Sequence, residues 1–167
     1  MNIVLVNPQI PQNTGAIART CAATNTKLRL VGNISFDISE KAVRRAGLDY
    51  WPYVDIKTHD TWESYLEENK DSRIWLISKF GTREYWDADF CESDSIVFGS
   101  ETKGLGKPFL SKYDTSQILR IPMSCNHVRS LNLSNAVSIV LYEALRQVNL
   151  KSNNEWLNNI TYDFEPI

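Results

Sequence analysis

His127-Val128-Arg129-Ser130-Leu131-Asn132-Leu133-Ser134 is a polar loop that runs directly into a strongly apolar segment, residues 134–148. Within that segment Val137, Val140, Leu141, Ala144, Leu145 and Val148 recur at three- and four-residue spacing, the period of one helix face, and Ser134 is placed to cap the helix start. On the other side of the loop stands Gln117-Ile118-Leu119-Arg120-Ile121-Pro122, whose apolar run reads as a buried strand. Strand, polar loop and core helix thus follow one another. Hydroxyls, an amide and a guanidinium are held at the strand-to-helix junction where α/β proteins bind ligands.

Outward from this stretch, short β-branched runs at 3–6, 28–31, 74–78 and 96–99 join 118–121 as strand candidates. Helical patterns at 14–24, 39–46 (closed by Gly47), 61–68 and 134–148 fall between several of them. This alternation predicts an α/β fold, a mostly parallel sheet with helices on both faces. No repeat, low-complexity stretch or linker divides the chain, so residues 1–150 read as a single domain and 151–167 as a polar C-terminal tail. Trp156, Leu157 and Ile160 are the tail's main apolar group before Phe164.

At 167 residues one domain suffices, able to bury roughly 70% of its unfolded surface. Five Trp, seven Tyr and six Phe, with 43% hydrophobic residues, exclude a disordered chain. The start has no basic region before an apolar one, and no apolar run approaches the ~18 residues of a membrane span, which makes a cytoplasmic location the expectation. Cys21, Cys91 and Cys125 are odd in number and widely separated, as expected of reduced thiols, with Cys21 a core residue. His59 and His127 have no partner at ligand spacing, and no metal is expected. A net charge of −2 does not advertise nucleic-acid binding, but a local patch such as Lys41, Arg44 and Arg45 can still grip phosphates.

Two further loops carry chemistry. Asn7-Pro8-Gln9-Ile10-Pro11-Gln12-Asn13-Thr14-Gly15 is stiffened by two prolines, has Asn13 as a helix cap, and leads to Arg19 within the first two turns, as a solvated side chain or as an anion contact. Phe98-Gly99-Ser100-Glu101-Thr102-Lys103-Gly104-Leu105-Gly106 invites comparison with phosphate loops, and the comparison fails. A Walker loop needs Lys-Ser or Lys-Thr after its second glycine, whereas Gly104 precedes Leu105-Gly106, and a Rossmann fingerprint needs glycine where Phe109 stands. A glycine-rich loop with one carboxylate remains. Glu101 is then either an exposed turn residue or a group that attracts a positively charged cofactor. Three loops leaving strand ends of one sheet are expected to converge on one pocket.

These residues carry a resemblance. Ile10-Pro11-Gln12-Asn13-Thr14-Gly15 with Arg19, Phe98-Gly99-Ser100-Glu101-Thr102-Lys103-Gly104-Leu105, and Ile121-Pro122-Met123 followed by Arg129-Ser130-Leu131-Asn132-Leu133-Ser134-Asn135-Ala136-Val137 occur in that order. With Arg44-Arg45-Ala46-Gly47-Leu48-Asp49-Tyr50, they make the chain similar, from Met1 to about Val148, to the SPOUT superfamily of RNA methyltransferases. Within it the closest likeness is to the small tRNA (cytidine/uridine wobble-nucleotide) 2′-O-methyltransferases. Ala16 departs from the family, which often has Asn there.

The resemblance implies S-adenosylmethionine as methyl donor, S-adenosylhomocysteine as product, a homodimer, the tRNA anticodon stem-loop as partner, and a deep C-terminal trefoil knot. It implies that Ser78, Gly99, Ile121, Met123, Ser130 and Leu131 surround the donor. Asn13, Glu101, Ser130 and Asn132 would position ribose and donor, and Arg19 with Lys41, Arg44 and Arg45 would hold the RNA. Arg19 suits the target phosphate and the developing alkoxide better than the role of base, because a guanidinium is a fork of donors with no acceptor for a proton. Two other classes stay open: methylation of another tRNA or rRNA ribose, and a non-catalytic RNA-binding module built on the same loops.

Overall fold

A computed structural model describes residues 1–37, 50–125 and 127–152. The expected helix at 39–46, the cations Lys41, Arg44 and Arg45, and most of the tail lie outside the described residues.

Among the described residues seven strands, all parallel, form one sheet: β1 (Asn2–Val6), β2 (Lys27–Val31), β3 (Ile56–His59), β4 (Ile74–Ile77), β5 (Arg83–Glu84), β6 (Ser95–Phe98) and β7 (Ile118–Arg120), in the order β3-β2-β1-β6-β4-β7-β5. The four helices described are α1 (Pro11–Ala23), α2 (Trp62–Glu68), the short α3 (Lys107–Leu110) and α4 (Leu133–Lys151). The inner strands are buried on both faces and read as unbroken apolar runs, as parallel sheets require.

The alternating direction of side chains sorts those strands into two cores. Ile3, Leu5, Leu28, Leu30, Ile96 and Phe98 face α1 and α4, where they meet Ile17, Ala18, Cys21, Val137, Val140, Leu141 and Ala144. Val4, Val6, Val31, Leu76 and Val97 face the other way, onto Trp62 and Tyr65 of α2 and Leu110 of α3. The apolar face expected for α4 is therefore its core face. Cys21 is fully buried, and burial pushes its thiol up to about 12, so it is inert packing. Among the described residues no helix is long and apolar enough to cross a membrane.

The expected helix starts need correction. Asn132, not Ser134, caps α4: its Oδ1 accepts from the Ser134 N–H at 2.9 Å. Helix α1 begins at Pro11, where proline's fixed φ and missing N–H suit the first position, and Ile10 is its cap residue without any side-chain bond. Asn13 thus stands inside the helix. Arg19 falls in its third turn, about 12 Å along the axis from Pro11 at 1.5 Å per residue. Strands β3 and β5 were not expected. Both lie at sheet edges, where one neighbour and open solvent permit Lys57, Thr58, Arg83 and Glu84.

Candidate active site

The sheet reverses its direction of growth around β1, which has β2 on one side and β6 on the other. Loops leaving the carboxyl ends of β1, β4, β6 and β7 enclose a cavity of about 290 Å³. Its walls mix glycine backbone with Ile77, Phe98, Leu105, Ile121, Leu131 and Ala136.

Two glycines make this packing possible. A Cβ on Gly99 would lie 2.0 Å from the Gly104 carbonyl carbon, because the β6 loop folds back on itself through a Ser100–Gly104 bridge. A Cβ on Gly81 would lie 2.5 Å from the Leu119 carbonyl carbon, because the loop joining β4 to β5 presses against β7.

A continuous set of hydrogen bonds ties three of the loops together. Glu101 accepts from the backbone N–H groups of Gln9 (2.9 Å) and Ile10 (3.1 Å) and from Asn13 Nδ2 (3.0 Å). Asn13 Oδ1 in turn accepts from Asn132 Nδ2 at 2.9 Å, and Asn132 Oδ1 accepts from the backbone N–H and the hydroxyl of Ser134, at 2.9 and 2.6 Å.

The direction of this relay follows from chemistry. An ionised carboxylate only accepts and a backbone N–H only donates, so the two amides between them have one satisfactory orientation. Glu101 also supplies what α1 lacks locally, since the first turn of α1 holds no acidic residue and its cap has no side-chain acceptor. Burial works against ionisation of Glu101. The Asn13 amide and the backbone N–H groups of Glu101 itself, Gln9 and Ile10 outweigh it and hold the carboxyl below the usual glutamate range. Glu101 is therefore more than an exposed turn residue: it ties the β6 loop to the loop after β1 and the start of α1.

The three loops do converge. Ser78, Gly99, Ile121, Met123, Ser130 and Leu131 all line the cavity, together with Asn13, Glu101 and Asn132. Arg19 does not: it is exposed on α1, its guanidinium 4.6 Å from the centre of the Tyr50 ring, whose hydroxyl donates to the Gly15 carbonyl at 2.8 Å. Sequence reasoning left out two cavity residues, Lys79 and Phe80, and attached no role to Lys103. The signal for the first two was their place, directly after the apolar run of β4.

The SpoU rRNA Methylase family matches residues 1–142. The chain belongs to that family. A family relative from Saccharophagus degradans, a tRNA (cytidine(34)-2′-O)-methyltransferase, is 43% identical over 147 residues, 88% of this chain and 95% of that one. Among solved structures, one described in terms of 2-OH methylation of C/U34 on tRNA is 41% identical, with a TM-score of 0.80 over 90% of this chain and 96% of that one. A second, an AdoMet-bound rRNA methyltransferase from Sinorhizobium meliloti, is 25% identical with a TM-score of 0.73, covering 87% of this chain and 55% of that one. The likeness to SpoU methylases thus spans nearly all the described elements.

Proposed function

We propose that this SpoU-family chain methylates the ribose 2′-hydroxyl of the wobble nucleotide of tRNA, a cytidine or modified uridine at position 34, with S-adenosylmethionine as donor. The observation that carries the reading is the Glu101–Asn13–Asn132–Ser134 relay, which locks three family motifs around one cavity. The names of relatives 41–43% identical over nearly the whole chain supply the substrate.

The cavity suits the donor. Apolar side chains and exposed glycine backbone offer a slot for an adenine ring and hydrogen-bonding groups for its edge, with Ser78, Gly99, Ile121, Met123, Ser130 and Leu131 as the surrounding residues. When bound, S-adenosylmethionine supplies a methyl group open to in-line attack. The chain's own contribution is placement, because aligning the ribose oxygen with the breaking C–S bond removes much of the barrier. Asn13, Asn132 and Glu101 act as positioning residues, since they bond to one another in sequence and to Gln9, Ile10 and Ser134 at the two ends. Ser130, at the cavity wall, is the hydroxyl nearest to a direct role. Arg19 orients the target phosphate and steadies the developing alkoxide.

Because Arg19 stands outside its own cavity lining, that role fits a homodimer in which α1 of one subunit approaches the cavity of the other. The reading also includes the knot, supported by β7 lying between β4 and β5 beneath the tight loop at Gly81, and a cytoplasmic location, residues 1–150 as the catalytic domain and 151–167 as its tail. Lys41, Arg44 and Arg45 add phosphate contacts.

The test is incubation with labelled donor and unmodified tRNA, followed by mapping of the methylated nucleotide. A 2′-O-methyl mark at the wobble position is expected. A mark in ribosomal RNA or in the tRNA D-loop would overturn the substrate while leaving the transferase, and no transfer to any RNA would favour a binding module.

A further inference from the structure

Building on the RNA-methylation reading, we infer that Phe80 is a stacking platform for a nucleobase of the substrate strand, within one nucleotide of the methylated ribose. Lys79, Lys103 and Lys107 hold the adjoining phosphates. The chain as a whole is acidic, with a net charge of −2, yet the cavity lining holds Lys79, Lys103 and Arg129, with Lys107 directly after the lining residue Gly106, against the single carboxylate of Glu101. That carboxylate is turned inward onto Gln9, Ile10 and Asn13, so the four cations set the potential at the mouth. All four are exposed.

Phe80 stands among them with 48% of its surface open, which is unusual for a phenylalanine beside a deep apolar cavity. Its position is nevertheless fixed. Its N–H donates to Ser78 Oγ at 3.2 Å, the Gly81 N–H donates to the Ser78 carbonyl at 3.0 Å, and Gly81 itself is wedged against the β7 backbone. A ring held outward by a tight turn has little conformational freedom to lose when it is covered.

Two ammonium groups lie near this ring, Lys79 Nζ from the loop after β4 at 5.3 Å and Lys107 Nζ from the start of α3 at 5.5 Å from its centroid. Such long, exposed cation–π contacts are weaker than the stacking of a base on the same face, so an arriving base displaces a lysine toward the phosphate beside it. An aromatic face bordered by flexible cations is the composition that grips single-stranded nucleic acid. Its place also suits the role: with the ribose at the cavity, Phe80 at the cavity wall stands within reach of the base that ribose carries or of its neighbour.

Steady-state methylation of tRNA and donor binding, measured together, test this. Phe80→Ala is expected to raise the KM for tRNA about tenfold with kcat within roughly threefold, and Phe80→Leu, which keeps an apolar group of similar size, should behave alike. Phe80→Trp should retain the wild-type KM and gain fluorescence quenching, over the wild type, on titration with an anticodon stem-loop RNA. Lys79→Ala with Lys107→Ala should flatten the salt dependence of RNA binding, while Lys27→Ala, at the opposite end of the strands, should not.

An unchanged KM in Phe80→Ala would overturn the inference. So would a tenfold loss of affinity for S-adenosylhomocysteine, which would put the ring in the donor pocket. If the wild type methylates no tRNA, the functional reading fails instead, and the Phe80→Trp titration still decides the platform: absence of quenching overturns it.

Discussion

At the scale of single residues, the site depends on groups whose partners are polar and whose spacing in sequence is long. Glu101 is the clearest case. Its carboxyl is held below the ordinary range, so it contributes stability that is fully present above the unfolded value near 4.3 and is lost as pH falls through the lower folded value. Glu101→Gln puts an amide NH₂ against N–H donors and should cost about 1–3 kcal/mol at pH 7. Urea unfolding should show that gap narrowing below about pH 4, and a gap independent of pH would sink the assignment. For Arg19→Ala the expectation is collapse of turnover while donor affinity changes by less than about tenfold, or 1.4 kcal/mol, and Arg19→Lys should not rescue it. Tyr50→Phe keeps the ring beneath the guanidinium and should stay near wild type, whereas Tyr50→Ala should move toward Arg19→Ala; equal effects of the two would refute a positioning role for the ring. Asn13, Glu101, Ser130 and Asn132 were legible in sequence as polar residues in loops at strand ends. Their connection was not, because a relay that runs from residue 101 to 13 to 132 is created by the sheet order and leaves no local pattern.

At the scale of elements, glycines decide whether loops and strands can meet. Gly81→Ala would push a methyl group into the backbone of Leu119 and Arg120, which cannot yield without moving β7, and should destabilise by about 1–3 kcal/mol and weaken donor binding. Gly104 has open space around its Cβ position and a φ of 63°, so Gly104→Ala should cost only about 1–2 kcal/mol of backbone strain. Chemical denaturation of the pair checks the order, and the reverse ranking would mean the β7 contact is slack. The inner strands and α4 were readable because burial on both sheet faces, or on one helix stripe, writes itself into the sequence as runs and periods. The helix starts were misread for a related reason. Ser134 and Asn13 are good cap residues by type, but Asn132 reaches the Ser134 N–H first, and Pro11 opens α1 early with Glu101 as a cap from another loop. Edge strands β3 and β5 carry no apolar signature, since half of their surroundings is water.

At the scale of the whole molecule, the position of Arg19 is the argument for two subunits. Ile17 of α1 is fully buried in the chain's own core, and Leu145 packs partly against the same core, so neither is free for an interface. Tyr142 remains available: with Ile139 it leaves an exposed apolar strip on α4, beside α1, to which Thr20 and Ser138 hydroxyls at 3.4 Å connect it. Burying that strip against a second copy would carry the exposed Arg19 of α1 into a neighbouring subunit. Light scattering should give twice the chain mass at micromolar concentration, and a monomer would end this reading. Subunit mixing tests the stronger claim. Arg19→Ala and Asn132→Ala homodimers should each be inactive, but if every site takes Arg19 from one subunit and Asn132 from the other, a mixed dimer contains one intact site and one doubly damaged site. Random reassociation makes half the dimers mixed, so activity should recover to roughly a quarter of wild type. If both residues serve the same subunit's site, every site in the mixture carries a lesion and nothing is regained.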